Sequence, residues 1–273
     1  MILHYDIADV ASYINWTYFY FAWQLKDPDE QQRLRAEAER LLADCEGTYH
    51  THAIVELADA YSDGDDIVVS STAWQGPRRL PFLRQQQADS DHLCLADFIA
   101  PEGYGSPIGN RLALFATSTD GAMATDFDAD PYRKLMAQLL ADRLAEATAE
   151  RLHQQVRRQI WGYAPAEQLT IAELHREQFQ GIRPAVGYPS LPDTSLNFLL
   201  ERLLRMSEIG IRLTETGAMR PHASVSGLML AHPAARYFDL GRIDETQLAD
   251  YARRRGMPAA LMRRFLAERL DNK

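Results

Sequence analysis

Cysteine is scarce in this chain. Two occur in 273 residues, Cys45 and Cys94, far apart and in no C-x-x-C pair. That excludes a disulfide framework and fits the reduced core thiols of a cytoplasmic protein. Long apolar runs are missing too. No stretch approaches the ~20 residues of a membrane helix. The opening MILHYDIADV lacks the basic and then apolar pattern of a signal peptide. Positive charge is short, with 29 Lys and Arg against 38 Asp and Glu and a net charge of −9. Phosphate binding needs a basic face, so nucleic acid is excluded as the main partner.

Catalytic signatures fail one by one. The chain has no Walker loop. Gly103, Gly105 and Gly109 are spaced G-x-G-x-x-x-G, one residue too long for the dinucleotide fingerprint. Ser224 and Ser226 lie in ASVSG, which lacks the first Gly of a nucleophile elbow. Asp59, Asp63, Gly64, Asp65 and Asp66 outline a calcium loop, but its third position is Tyr61 and its twelfth is Ser70. A hairpin turn is the better reading. His50 and His52 alternate and would share one face of a strand, yet two histidines make half a zinc site, with only His4 or His92 to complete it. They read as surface or hydrogen-bonded histidines. No hydrolase, metalloenzyme or kinase chemistry follows, and no catalytic residue or metal ligand is assigned.

What the chain carries is helical stripes with scattered strands. YINWTYFYFAWQL (13–25) is densely aromatic and reads as a buried first helix or strand. Asp27-Pro28 is an N-cap and N1 pair, and Leu34, Ala38, Leu41, Leu42 and Cys45 follow at helical spacing. SDGDD (62–66) turns into a strand over 67–71. The basic stretch 77–87 need not be regular, 92–99 is apolar enough to be buried, 101–110 is a loop, and 112–118 is a strand. Asp130-Pro131 caps a helix running to about Trp161. Leu135, Leu139, Leu144, Ala147, Leu152, Val156 and Ile160 keep one of its faces apolar. At 1.5 Å per residue this is a rod of ~45 Å. A short helix over 170–179, a leucine-striped helix over 196–204 and strands near 211–215, 224–231 and 236–240 come next. Asp244 with Gln247 makes a capping-box-like start to a helix ending near Arg254, and 258–270 closes the chain. This mixture predicts an α+β fold, a mainly antiparallel twisted sheet flanked by helices, in a single domain over 1–273.

Two irregular segments stand apart from these elements: GIRPAVGYP (181–189) and AMRPHASVSGLMLAHPAARYFDLG (218–241). Each is punctuated by Gly and Pro and carries Arg, Tyr and small residues. That composition suits a loop laid against a small charged ligand. Arg183 is a good carboxylate partner because Pro184 and Pro189 stiffen its loop. Gly187 lets backbone come close, and Tyr188 and Tyr237 offer ring and hydroxyl. On the residues alone a second reading stands beside it, with Arg183 salt-bridged to a neighbour and both tyrosines in the core.

A collinear series of motifs decides between them. CLADFIAP (94–101), LADRLAEATAERLH (140–153), IWGYAP (160–165), QGIRPAVGYP (180–189), LTETGAMRPHASVSG (213–227), HP…RYF (232–238) and DYARRRGM (250–257) together resemble the activation domain of cobalamin-dependent methionine synthase. The resemblance runs from YINWT (13–17) to the end. It implies that fold, and a site for S-adenosylmethionine built from Arg183, the backbone at Ala185, Tyr188, Tyr237, Phe238, Glu146 and Asn15. Glu146 shares a polar helix face with Asp142 and Glu150. It also implies cobalamin acting only through a partner methionine synthase chain and a flavodoxin-like electron donor. Reduced cobalamin would take the methyl group, and this chain's task would be positioning, without activity of its own.

The sequence departs from the family at three places. Asn15 stands where the family has Asp, a loss of charge assistance of about 1–2 kcal/mol, or ten- to thirtyfold in affinity. Phe238 replaces the second residue of a Tyr-Tyr pair, and Arg220 with His222 adds a basic spot. No D-x-H-x-x-G cobalamin loop occurs in the sequence, and the family's homocysteine, folate and cobalamin modules are expected to lie on another chain. The expectation is a free-standing reactivation module. Its alternatives are an S-adenosylmethionine sensor or assembly subunit without methyl transfer, and a partner of another corrinoid methyltransferase.

Overall fold

RLALFATST (111–119) is buried on both faces along nearly its whole length, as a strand covered on two sides must be. In the computed structural model, which describes residues 1–270 apart from Pro107 and Gly109, this strand lies inside the main sheet. The elements in chain order begin with β1 (Ile2–Asp6), α1 (Ile7–Val10), α2 (Trp16–Ala22), α3 (Pro28–Cys45), β2 (His50–Asp63), β3 (Asp66–Ser70) and β4 (Arg78–Pro81). Then come β5 (Arg111–Thr119), α4 (Pro131–Gln155), α5 (Ile171–Leu174), α6 (Leu196–Leu204), β6 (Arg212–Leu213) and β7 (Met219–Arg220). β8 (Ser224–Met229), α7 (Glu245–Arg254) and α8 (Ala259–Phe265) complete the series.

The main sheet runs β4-β3-β2-β5-β8 and is antiparallel throughout. One edge of the long β2 pairs with β1 through residues 50–54 and with β3 through residues 59–63. Alternation sorts the core into two layers. Ala53, Val55, Ala113, Phe115, Val225 and Met229 face α4 and α3. Ile54, Ala58, Leu112, Leu114, Ala116 and Leu228 face α6. Two hydroxyls fasten α4 to the sheet: Thr117 donates to the Ala145 carbonyl and Thr119 to the Ala141 carbonyl, both at 3.0 Å. A third cluster, around Leu248, Tyr251 and Met262, seats α7 and α8. The fold is α+β, as expected.

The caps read from sequence are made. Asp27 accepts from the backbone of Asp29 and Glu30, and Asp130 from that of Tyr132 and Arg133. The long helix keeps its expected length only by changing pitch, since α4 ends at Gln155 and a π-helical turn continues over Val156–Ile160. Leu135, placed on its apolar face, is exposed. The 62–66 turn joins β2 to β3. The expected loop 101–110 includes Pro107 and Gly109, which lie outside the described residues, as does the last Gly of the spacing above. Among the described residues no helix is long and apolar enough to cross a membrane.

Several elements differ from expectation. Residues 13–25 form a short surface helix rather than a buried one. A seven-residue helix covers one side only, so Phe19 is buried while Tyr18 and Phe21 are 61% and 81% exposed. The helix over 170–179 stops at Leu174, because Glu177 takes a left-handed backbone at φ 56°. No strand forms over 236–240, whose carbonyl at Asp239 accepts from the Gln85 side chain and whose Leu240 N–H goes to Pro189. The 211–215 strand is Arg212–Leu213, paired with β7 outside the main sheet. Gln247 spends its amide on the Arg84 backbone instead of closing a capping box. The 77–87 stretch contains β4, and β1 had no sequence signal of its own.

The alternating histidines do meet a third. β1 sets His4 opposite His52, Nδ1 to Nδ1 at 2.8 Å, and His52 Nε2 lies 2.8 Å from Asp120. His4 and His52 are thus hydrogen-bonded to each other and His52 to a carboxylate, while the His50 ring lies beside Asp6 and Asp120. Among the described residues no group of three is arranged to hold a metal ion.

Candidate functional site

The GIRPAVGYP segment is irregular in sequence but anchored like a strand. Ile182 and Leu230 exchange backbone hydrogen bonds at 2.9 Å, Leu228 N–H donates to Pro184, and Val186 N–H donates to Ser226 at 2.8 Å. The segment thus covers the outer edge of β8. Gly227 makes the approach possible, since a Cβ there would sit 2.2 Å from the Pro184 carbonyl oxygen. The Arg183 side chain is thereby projected toward α4.

There the guanidinium is held from two directions. Nη1 donates to the Ala149 carbonyl at 3.0 Å and Nη2 to Glu150 Oε2 at 3.1 Å, with side chains only 14% and 12% exposed. Burial opposes the charge, yet Glu150 and Glu146 keep the pKa of Arg183 above its ordinary value. The Arg183 N–H donates to the Tyr237 hydroxyl at 2.9 Å. Arg183 forms the floor of a cleft of about 720 Å³ between α2 and α4 on one side and the 183–190 and 237–239 segments on the other.

The cleft gathers every residue expected from the sequence: Asn15, Glu146, Arg183, Ala185, Tyr188, Tyr237 and Phe238 all line it. Tyr188 donates to Glu146 Oε1 at 3.0 Å, and the Glu146 charge, with burial, pushes its hydroxyl up to about 12. Asn15 is less free than a ligand group would be. Its Oδ1 accepts from Thr17 N–H at 3.2 Å and caps α2. In the basic spot, His222 Nδ1 lies 3.1 Å from Asp142.

Sequence reasoning missed other groups in the cleft. Glu150, noted only for sharing a helix face, is the partner of Arg183. Glu177 lines the cleft, and its carboxylate has no hydrogen-bond partner among the described residues. Desolvation and the nearby Glu150 charge raise its pKa, against the pull of Arg183. Nothing in its local sequence announces a site; the signal is the left-handed backbone, a strained state for a non-Gly residue. His175 hydrogen-bonds the Tyr13 carbonyl at 3.0 Å and so holds the N-terminal wall. At the mouth, the Arg143 guanidinium lies 5.9 Å from the ring of exposed Tyr18.

A larger hollow of about 890 Å³ lies on the other side of Asn15 and His175. Its charged groups are already engaged, with Arg35 paired to Glu39 at 2.8 Å and stacked on Trp16 at 4.9 Å, and Glu46 accepting from the Ala8 N–H at 2.9 Å. The 720 Å³ cleft instead combines a fixed cation, a spare carboxylate and several aromatic faces. That set complements a zwitterionic amino-acid group carrying further positive charge.

Residues 6–256 match the model of the vitamin B12-dependent methionine synthase activation domain. The chain belongs to that family. The crystal structure of the MetH reactivation domain bound to AdoHcy is similar to it over 100% of this chain and 91% of that one, with a TM-score of 0.91 and 37% identity. The activation-domain fold, its antiparallel sheet and its long helix are therefore those expected from the motifs.

Proposed function

We propose that the cleft binds S-adenosylmethionine and presents its methyl group for reductive re-methylation of inactivated cobalamin on a methionine synthase chain. One observation carries the reading: a largely buried Arg183–Glu150 pair at the floor of a cleft in which a further carboxylate, Glu177, has no side-chain partner among the described residues. The AdoHcy held by the MetH reactivation domain, the demethylated form of this ligand, supports it. Arg183 takes the ligand carboxylate. Glu177 and Glu146 face the ammonium. Tyr188, Tyr237 and Phe238 give rings to the sulfonium and adenosine, and the backbone at Ala185 approaches closely.

S-adenosylmethionine supplies an already electrophilic methyl group, so the chain contributes position rather than an acid or base. Exposed Tyr18 and Tyr188 rim the mouth, where an acceptor on another chain has access. A flavodoxin-like protein is the expected electron source. Asn15 supports a second reading, a sensor without methyl transfer, because its cap-engaged, uncharged side chain holds an ammonium weakly.

The test is a reconstitution with radiolabelled S-adenosylmethionine, this chain, reduced flavodoxin and cobalamin-loaded methionine synthase lacking its own activation domain. Label on the cobalamin, dependent on this chain, is the expected result. Binding without transfer would favour the sensor.

A further inference from the structure

The stripe running from α4 into its π-helical extension behind the cleft carries polar groups that ligand binding does not use. Glu150, His153 and Arg157 recur at spacings of three and four and so share one side of the helix. Glu150 is 12% exposed, while His153 and Arg157 are fully buried. Part of each is committed: Glu150 Oε2 to Arg183, and Arg157 Nε and Nη2 to Glu167 at 2.7 and 2.8 Å. The remainder has no partner among the described residues, namely Glu150 Oε1, both ring nitrogens of His153 and Arg157 Nη1. Phe179 closes the stripe, its ring 4.8 Å from that of His153 and 4.1 Å from the Arg157 guanidinium.

An orphaned buried polar atom costs about 1–3 kcal/mol, and several on one stripe are more than a stable fold tolerates. Buried polar groups left over in this way are commonly satisfied by internal water. The donor and acceptor order also fits. Arg157 Nη1 only donates, Glu150 Oε1 only accepts, and a neutral imidazole does one of each. We propose that ordered internal water joins Arg157 through His153 to Glu150 Oε1, and that His153 is thereby a positioning residue for the Glu150–Arg183 pair and the ligand carboxylate. Burial between Arg157 and Arg183 keeps the imidazole neutral, as this arrangement requires. The functional half of the inference rests on the ligand reading above.

Two variants and three ligands test it. His153→Phe keeps a ring against Phe179 but removes both nitrogens, and His153→Gln restores a donor and an acceptor. His153→Phe should bind S-adenosylmethionine and S-adenosylhomocysteine about tenfold more weakly. It should bind 5′-methylthioadenosine, which lacks the amino-acid tail, as the wild type does, and His153→Gln should recover most of the loss. An equal loss for all three ligands, or none, overturns the positioning role. A wild type that binds none of them sinks the ligand reading instead. A high-resolution crystal structure decides the water independently: waters bridging Glu150 Oε1 and the His153 ring sustain the proposal, and a dry stripe overturns it.

Discussion

His153 shows what one buried side chain does to the pH dependence of the whole fold. Its pKa lies well below the ordinary 6.5, chiefly through burial and then through Arg157 and Arg183. A histidine held neutral in the native state binds fewer protons there than in the unfolded chain. Stability contributed this way is present above the unfolded pKa and is lost as pH falls below about 6.5 toward the folded value. His153→Phe removes that linkage. The drop in thermal midpoint between about pH 7.5 and 5.5 should therefore be smaller in the variant, as calorimetry at the two pH values would show. An unchanged drop would assign it to other groups. At this scale the sequence was legible where chemistry and backbone punctuation coincide. Arg183 and Tyr188 stand between prolines and glycines, so their loop marked them. Glu150 and Glu177 looked like surface carboxylates, because what makes them site residues is the approach of a chain segment six or more positions away.

The decisive element is the 182–186 segment on the edge of β8. It reads as a loop because Pro and Gly interrupt it, yet its backbone is paired like a strand, and that pairing gives Arg183 a fixed origin. Gly227 is the contact on which this depends. Gly227→Ala would drive a methyl group into the Pro184 carbonyl, 2.2 Å away, and would push the segment off the strand. The expected outcome is a loss of about 2–4 kcal/mol in urea unfolding together with loss of ligand binding. Wild-type affinity in this variant would show that the segment's placement does not govern the site. Helices with caps and a leucine stripe, α3 and α4, were readable because local chemistry and burial agree. The aromatic 13–25 segment misled because aromatic density signals burial, whereas here Tyr18 and Phe21 face outward, Tyr18 at the cleft mouth. The 236–240 segment has strand-like residues, but its backbone partners are a glutamine side chain and a loop. No local pattern encodes that.

Across the whole molecule, the site is a seam between units distant in the sequence. α2 near the start, α4 in the middle and the edge of β8 each supply one wall. The C-terminal helices brace that seam, with Tyr251 donating to Asp193 at 2.8 Å just beyond the GIRPAVGYP segment and Arg254 bonded to Asp66 in the sheet. A buried cation is kept only when its partners hold it, and Arg183 is held from two directions at the bottom of a cleft. Titration calorimetry of S-adenosylmethionine into the chain and into Arg183→Ala tests this most directly. The account predicts saturable one-to-one binding by the wild type and a loss of about tenfold to a hundredfold in the variant, whose fold is checked by its thermal midpoint. Equal affinity in the two proteins, or no binding by the wild type, would contradict it.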